Sequence, residues 1–175
     1  MSFYLCCMNL KEARARFIQA WGTLGSNWGI NRTMTQVHAL LLISPEPLSA
    51  EEIMKELNIS RGNANMNLRE LIQWGLVKKE FKTGERREYF FAEKDIYKAF
   101  RLIVKERRRR ELEPIFEVLD ELSRYEGDSK NKDVKAFTNM LDQIHDFAHK
   151  ADHALEVVIK SDENWFANTL LKLLR

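Results

Sequence analysis

Apolar residues in the first part of the chain recur at steps of three and four, the spacing of a helix that buries one face. From about Asn9 to Gly25 this spacing predicts an amphipathic helix whose stripe consists of Leu10, Ala13, Phe17, Ala20, Trp21 and Leu24. A shorter helix follows, for which Thr33 is a candidate N-cap with Gln36 three residues later. The segment 44–47 (SPEP) ends it, since proline cannot continue a helix.

Two short helices joined by a tight turn are predicted next, starting at Leu48. Ser49 is a good N-cap for the first, and Glu52 three residues later completes a capping box. Ser60 is a good N-cap for the second, and Gly75 stands where a C′ glycine would end it. The inner face of the second helix is predicted to contain Ala64, Leu68, Leu71 and Ile72.

A two-stranded β-hairpin is predicted after these helices. Residues 76–81 and 87–91 are rich in aromatic and β-branched side chains, and they flank a turn around Thr83-Gly84. Lys82, Arg86 and Arg87 make the tip of the hairpin basic. Helix, turn, helix and basic hairpin in this order predict a winged helix-turn-helix.

The second half of the chain is predicted to be helical. A long helix should start near Asp95 and should kink or restart near Glu113, because Pro114 interrupts its pattern. A heptad pattern then predicts another long helix with the seam Phe137, Leu141, Ile144, Ala148, Ala151, Leu155 and Val158. A last helix from Ser161 would place Phe166, Leu170, Leu173 and Leu174 on one side.

The fold class that follows is mainly α with a small antiparallel β-wing. We expect an N-terminal helix in residues 1–30, a winged helix-turn-helix in 31–94 and long C-terminal helices in 95–175. The composition is globular, with 45% hydrophobic and 31% charged residues. No apolar run approaches the ~20 residues of a membrane span, and the start lacks the basic region of a signal peptide, so we expect a cytoplasmic protein.

Charge is distributed unevenly along the 175 residues. The net charge of +2 combines zero in residues 1–59, +8 in 60–110 and −6 in 111–175. The basic middle segment is the pattern expected of a protein that binds a polyanion. The acidic last segment would repel DNA and is better suited to protein contacts.

Asparagine and arginine side chains on the second helix of the motif suggest that it reads base edges in a major groove. We expect six residues to face outward: Arg61, Asn63, Met66, Asn67, Arg69 and Gln73. Asn65 is expected nearer the buried edge. The basic residues of the wing would contact phosphates or the adjacent minor groove. The alternative is a winged helix that binds a protein, or nothing, through the same face.

The residues ISRGNANMNLRELIQWGLVKKE, followed by GERREYF, resemble the MarR superfamily of regulators, in particular its GbsR-like branch. Glu85-Arg86-Arg87 stands where the wing of the family has an acidic residue followed closely by arginine, with glutamate in place of the commoner aspartate. The resemblance implies a homodimer formed through the first and last helices. It also implies repression by occlusion of a promoter.

The function predicted from the sequence is therefore that of a sequence-specific DNA-binding transcriptional regulator, a repressor acting as a homodimer on a pseudo-palindromic operator. The alternative is a winged-helix protein-interaction module. No catalytic motif is found, and neither a cofactor nor a metal is expected. The predicted DNA-binding residues are Ser60, Arg61, Asn63, Asn65, Met66, Asn67, Arg69, Lys82, Arg86 and Arg87.

Several further patterns leave alternatives open. The run Arg107-Arg108-Arg109-Arg110 is either paired with neighbouring glutamates or placed against a phosphate backbone. The histidines at 145, 149 and 153 lie on one helix face, where two of them could share a metal, although a solvated face is the preferred interpretation. An effector is a further open question, and the aromatic residues Phe17, Trp21, Trp28 and Trp74 could cage a quaternary ammonium ligand or simply belong to the core.

Overall fold

The computed structural model describes residues 8–125, 127 and 130–161. The chain divides into two compact units, Met1–Ile96 and Tyr97–Arg175. The helix predicted beyond Ser161, with Phe166, Leu170, Leu173 and Leu174, lies outside the described residues.

The first unit is a winged helix preceded by one long helix. Its elements are α1 (Leu10–Asn27), α2 (Arg32–Ile43), β1 (Leu48–Ser49), α3 (Ala50–Leu57), α4 (Arg61–Gln73), β2 (Val77–Phe81) and β3 (Glu88–Ala92). The three strands form an antiparallel sheet in the order β1-β3-β2. The predicted fold class, mainly helical with a small β-wing, is confirmed.

Capping side chains define where most of these helices begin. Ser49 and Glu52 form the predicted capping box of α3, and the Ser60 hydroxyl caps α4. The prediction that Thr33 caps α2 is wrong. The N-cap is Asn31, whose side-chain oxygen accepts a hydrogen bond from the backbone N–H of Met34 at 3.1 Å. Thr33 therefore lies within the first turn of α2.

Left-handed backbone conformations produce the two turns that surround α4. Asn58, after the end of α3, has φ = 51°, and asparagine is one of the few residues that tolerate this region. Gly75 has φ = 76° just after the end of α4, as predicted for a C′ glycine. The two turns fix the entry and the exit of α4.

Helix α2 is the centre of the core of this unit. Val37, Leu40 and Leu41 are almost completely buried, and Met34 is 1% exposed. Further buried side chains come from α3, α4 and the sheet: Ile53, Ala64, Leu68, Leu71, Val77, Phe90 and Ala92. The core thus holds α3 and α4 on a scaffold of α2 and the sheet.

Helix α1 packs on α2 through a face different from the predicted one. Its buried residues are Ile18, Gly22 and Gly25, whereas Leu10 is 76% exposed and Leu24 is 44% exposed. A Cβ atom added at Gly22 would lie 2.8 Å from the Gln36 side chain, so the small residues permit a close approach of the two helices. The predicted apolar stripe of α1 is therefore left largely uncovered within this unit.

The second unit is helical. Helix α5 (Ile96–Arg107) leads into a π-helical turn (Arg108–Leu112), and α6 (Glu113–Leu122) then begins with proline in its first turn. The predicted restart of the helix near Glu113 is confirmed. The heptad pattern corresponds to one helix, α7 (Lys132–Lys160), which is 29 residues long.

The arginine run is paired within this unit. Arg108 makes a bidentate contact with Asp152 of α7, at 2.6 and 2.9 Å. Arg109 and Arg110 both donate hydrogen bonds to Glu106, and these bonds hold the pKa of that carboxyl below its usual value. The intramolecular interpretation of the run is thereby confirmed.

The long helix α7 is covered unevenly. Ala148 is buried, but four large apolar side chains at helical spacing remain 45–73% exposed: Phe137, Met140, Ile144 and Phe147. Helix α6 also exposes Ile115 and Val118. Among the described residues, no helix is long and apolar enough to cross a membrane.

Candidate nucleic-acid interface

The N-terminal turn of α4 is exposed and carries a set of polar side chains. Ser60 caps the helix by accepting a hydrogen bond from the backbone N–H of Asn63 at 3.3 Å. Arg61, Asn65 and Met66 are exposed, and Met66 has 56% of its surface accessible. Because the first N–H groups of a helix have no partner within the helix, this end also favours anions.

The structure reverses the predicted positions of two asparagines. Asn67 was expected to face outward, but it is completely buried in the first unit. Its side-chain NH₂ group donates to the backbone oxygen and to the side-chain oxygen of Asn63, at 2.7 and 2.6 Å. Asn65 was expected near the buried edge, yet it is exposed. Asn67 is thus placed where its side chain cannot reach a base edge, whereas Asn65 is accessible.

The wing, residues 82–87 between β2 and β3, is exposed throughout. The ammonium group of Lys82 lies 4.2 Å from the ring centroid of Tyr89, a cation–π contact. The hydroxyl of Tyr89 donates to Glu85, and this bond raises the pKa of the tyrosine. These contacts tie the tip of the wing to β3.

A cleft of about 260 Å³ separates the start of α4 from the wing. Its walls bring together three of the predicted DNA-binding arginines, Arg61, Arg86 and Arg87, with Asn65. Ala50, Glu51, Glu88 and Phe90 complete the lining. The cleft is therefore a basic groove formed by sequence segments about 25 residues apart, although Lys82 and Arg69 are not among its lining residues.

Two carboxylates moderate the positive charge of this cleft. Glu51 lies 3.5 Å from Arg61, and Glu88 forms a 2.8 Å ion pair with Lys79 on the neighbouring strand. The sequence did not single out either acid, because Glu51 has the ordinary position of an acidic residue in the first turn of a helix. The contact with Arg61 requires the packing of α3 against α4.

The capping box of α3 lies close to the wing. The Glu52 carboxylate accepts hydrogen bonds from the backbone N–H and the hydroxyl of Ser49, both at 2.7 Å. These bonds keep the pKa of Glu52 below its usual value, and the positive charges of Lys82 and Arg87 act in the same direction. Glu52 is therefore a structural anion.

The histidines of α7 form a pair. The Nε2 atoms of His145 and His149 are 3.3 Å apart, and Asp120 lies 3.5 Å from His145. Among residues 8–125, 127 and 130–161, no three His, Cys, Asp or Glu side chains are grouped to hold a metal ion.

The aromatic residues considered as an effector cage do not share one environment. Phe17 and Trp21 stack with a centroid distance of 5.4 Å. Trp28 is 48% exposed at the end of α1, whereas Trp74 is buried. His38, 4% exposed near Trp21, has its pKa lowered to about 4 by burial and by the positive charge of Lys94.

Comparison with known proteins agrees with this architecture. Residues 28–88, from the loop before α2 to the start of β3, match the model of the MarR family. This segment, which matches the MarR-family model, contains the helix-turn-helix and the wing. The predicted resemblance to MarR regulators is confirmed for the segment that contains α4, the wing and the cleft between them.

Two individual relatives extend the comparison. The HTH-type transcriptional repressor GbsR of Bacillus subtilis (strain 168) is 28% identical over 91 residues, which are 52% of this chain and 50% of that protein. The chain thus aligns with about half the length of GbsR. A crystal structure described as a transcriptional regulator has the same fold, with 21% identity and a TM-score of 0.64 over 84% of this chain and 95% of the other.

Proposed function

We propose that this chain is a sequence-specific DNA-binding transcriptional regulator, a repressor that acts as a homodimer on a pseudo-palindromic operator. The observation that carries the proposal is the cleft between α4 and the wing, which gathers Arg61, Arg86 and Arg87. Arginine pairs bidentately with phosphate and with guanine. The cleft also belongs to a MarR-family segment, in which α4 is the second helix of the helix-turn-helix.

In this proposal, the start of α4 enters the major groove. Arg61 and the Ser60 cap contact phosphate or the first base edge, since the helix N-terminus favours a negative charge. Asn63, Asn65 and Met66 face the bases. Asn67 is no longer proposed as a direct reader, because its side chain is buried.

The wing supplies the second contact. Arg86 and Arg87 are exposed and reach phosphates or the adjacent minor groove, whose narrow A·T-rich forms attract arginine. Lys82 and Arg69, both exposed, add sequence-independent attraction to the DNA backbone. Sequence is thus read by α4, and affinity is shared between α4 and the wing.

The homodimer is supported by apolar surface that remains open. On α7, Phe137, Met140, Ile144 and Phe147 repeat at steps of three and four, the pattern of a seam that requires a partner helix. A second copy of the same chain would cover this seam symmetrically. A dimer on DNA would place its two α4 helices one DNA turn apart, at about 34 Å.

Repression is proposed by analogy with GbsR, a transcriptional repressor by name. We expect a small regulator with this architecture to repress transcription by occupying a promoter and blocking access to it. The rival function is a protein-interaction module that uses the exposed helices of the second unit, and it predicts DNA binding without sequence preference.

The deciding experiment measures the affinity for the DNA upstream of the chain's own gene and for a scrambled duplex, over a series of salt concentrations. We expect a preference of about a thousandfold or more for one natural duplex. Light scattering of the purified protein should give the mass of a dimer. Equal, salt-dependent affinity for every duplex would overturn sequence-specific regulation and favour the rival function.

Two charge-matched variants localise the binding surface. Arg86→Ala should weaken binding to all sequences and reduce the log–log salt slope by about 1. Lys135→Ala removes the same charge from the exposed side of α7 and should leave both quantities unchanged. Similar losses for both variants would contradict the proposed role of the cleft.

A further inference from the structure

Asn67 is a completely buried asparagine in the middle of α4. Its side-chain nitrogen lies 2.7 Å from the backbone oxygen of Asn63, one helical turn earlier, and 2.6 Å from the side-chain oxygen of the same residue. Its own side-chain oxygen is buried and has no hydrogen-bond partner among the described residues. The contact with Asn63 is therefore the polar interaction that the Asn67 side chain makes.

These two contacts fix the orientation of both amide groups. The backbone oxygen of Asn63 can only accept a hydrogen bond, so the Asn67 atom that faces it must be the NH₂ group. That NH₂ group must in turn face an acceptor, so the nearby Asn63 atom must be the side-chain oxygen. Rotating either amide by 180° would bring two donors or two acceptors together.

The hydrogen bond with Asn67 also fixes which way the donor and the acceptor of the Asn63 side chain point. Its oxygen is engaged by Asn67, while its NH₂ group has no hydrogen-bond partner among the described residues. Asn63 is partly exposed in the first turn of α4, between the exposed residues Arg61 and Asn65. The side chain is thus held with its donor group free for a partner outside the protein.

Packing does not explain why position 67 is polar. Leucine has a similar size, and it would fill the same space without leaving a buried acceptor unpaired. An unpaired buried acceptor normally destabilises a fold, so the asparagine costs stability that a leucine would not. The contact with Asn63 is the feature that leucine would lose.

We propose, on the basis of the proposed DNA binding, that Asn67 is a positioning residue which makes Asn63 a hydrogen-bond donor toward the bases. In the major groove, guanine N7 and O6, adenine N7 and thymine O4 are acceptors, whereas the polar group that cytosine presents is its N4 donor. The Asn63 donor can therefore pair with G, A or T and discriminates against C at one position of each half-site. Asn67 contributes to specificity without touching DNA.

The test measures the affinity for a set of duplexes in which each position of the half-site is changed in turn. The native protein should bind C at one position about fivefold or more weaker than the other three bases. Asn67→Leu should remove this preference at that position alone and leave the salt slope unchanged. Gln73→Leu, at an exposed position of the same helix that is not among the proposed DNA contacts, should leave this preference intact.

A second variant replaces the outward hydrogen-bond donor of residue 63 with an acceptor and does not disturb the core. Asn63→Asp keeps an oxygen for the hydrogen bond with Asn67, but its outward atom becomes an acceptor. It should weaken binding overall, because it adds a negative charge, and should favour C at the same position, because cytosine N4 donates to an acceptor. The proposal is overturned if Asn67→Leu still discriminates against C, or if Asn63→Asp shows no shift toward C.

The arrangement is also measurable without DNA, by nuclear magnetic resonance of the asparagine side-chain amides. The NH₂ protons of Asn67 should be protected from solvent exchange, and those of Asn63 should exchange freely. Protection of Asn67 in a protein with no base preference would refute the proposed function and, with it, the discrimination against C, while retaining the positioning contact. Free exchange at Asn67 would refute the positioning contact itself.

Discussion

Gly25 of α1 lies directly against Thr35 of α2. A Cβ atom built on Gly25 would be 2.2 Å from the Thr35 methyl carbon and 2.7 Å from its hydroxyl oxygen, both far inside van der Waals contact. The Thr35 hydroxyl donates to the backbone oxygen of Arg32 at 2.9 Å, which holds the side chain in place. The glycine is therefore required by the close approach of the two helices.

Gly25→Ala should destabilise the protein. Alanine favours a helix over glycine by up to about 1 kcal/mol, but the clash with Thr35 should outweigh this gain and lower the free energy of unfolding by about 1–3 kcal/mol. Denaturant unfolding of the two proteins gives the difference. Thr35→Ala in the same chain should restore part of the loss, because it removes two of the three clashing atoms.

Gly62→Ala should have opposite effects on stability and on DNA binding. A Cβ atom at Gly62 would meet no protein atom within 4 Å, so the variant should gain about 0.5 kcal/mol of stability. Gly62 lies in the first turn of α4 beside Arg61, where a phosphate would approach the backbone. Loss of one such charge-assisted contact should weaken DNA binding by about tenfold.

Denaturant unfolding and binding titrations of the Gly62 variant separate the two effects. Unchanged DNA affinity with raised stability would show that no DNA backbone comes close to Gly62. A loss of stability would show that the glycine is needed within the protein instead.

Local signals were sufficient to predict most of the fold. Ser49 with Glu52, Ser60 and Gly75 each mark a helix end through atoms within four residues, so the ends of α3 and α4 follow from the sequence alone. The two-residue strand β1 was missed because it has no periodicity of its own. It exists through its pairing with β3, where Leu48 faces Phe90.

The predicted positions of Asn65 and Asn67 were wrong because the residue type was given more weight than the helical periodicity. At about 100° per residue, position 67 lies about 60° from Ala64 and within the arc that Leu68 and Leu71 also occupy. The positions 64, 67, 68 and 71 follow the spacing of a buried face, and the periodicity therefore contained the correct answer. Asn67 was predicted to face outward because asparagine is polar. In the structure its side chain is hydrogen-bonded to Asn63, one turn away in the same helix.

Glu51→Gln should strengthen DNA binding. Glu51 lies 3.5 Å from Arg61 in the basic cleft, so its charge competes with phosphate for the arginine and repels DNA. Because exposed ion pairs contribute about 0.2–1 kcal/mol, the affinity should rise roughly two- to fivefold at low salt, and the gain should shrink as salt is added. Fluorescence anisotropy with one duplex measures this change.

The matched control for this prediction is Glu46→Gln, an exposed glutamate in the loop before β1 that does not line the cleft. It removes the same charge from the protein and should change the affinity much less than Glu51→Gln. Equal gains in the two variants would mean that net charge, and not the pairing with Arg61, sets the effect.

His38 should make the stability of the first unit depend on pH. Burial, helped by the charge of Lys94, lowers the pKa of His38 from 6.5 to about 4, so the folded protein keeps this imidazole neutral. As the pH falls from 6.5 to 4, the unfolded chain takes up a proton at this position and the folded chain does not. The free energy of unfolding should fall by about 3 kcal/mol over this window.

Denaturant unfolding at several pH values between 4 and 8 tests this linkage. His38→Leu should flatten the slope between pH 6.5 and 4, whatever its effect on stability at neutral pH, because the titrating group is gone. His153→Gln removes an exposed histidine of α7 and should retain the native slope. A native slope in the His38 variant would mean that another group causes the loss at low pH, and the buried imidazole would then be charged in the folded state.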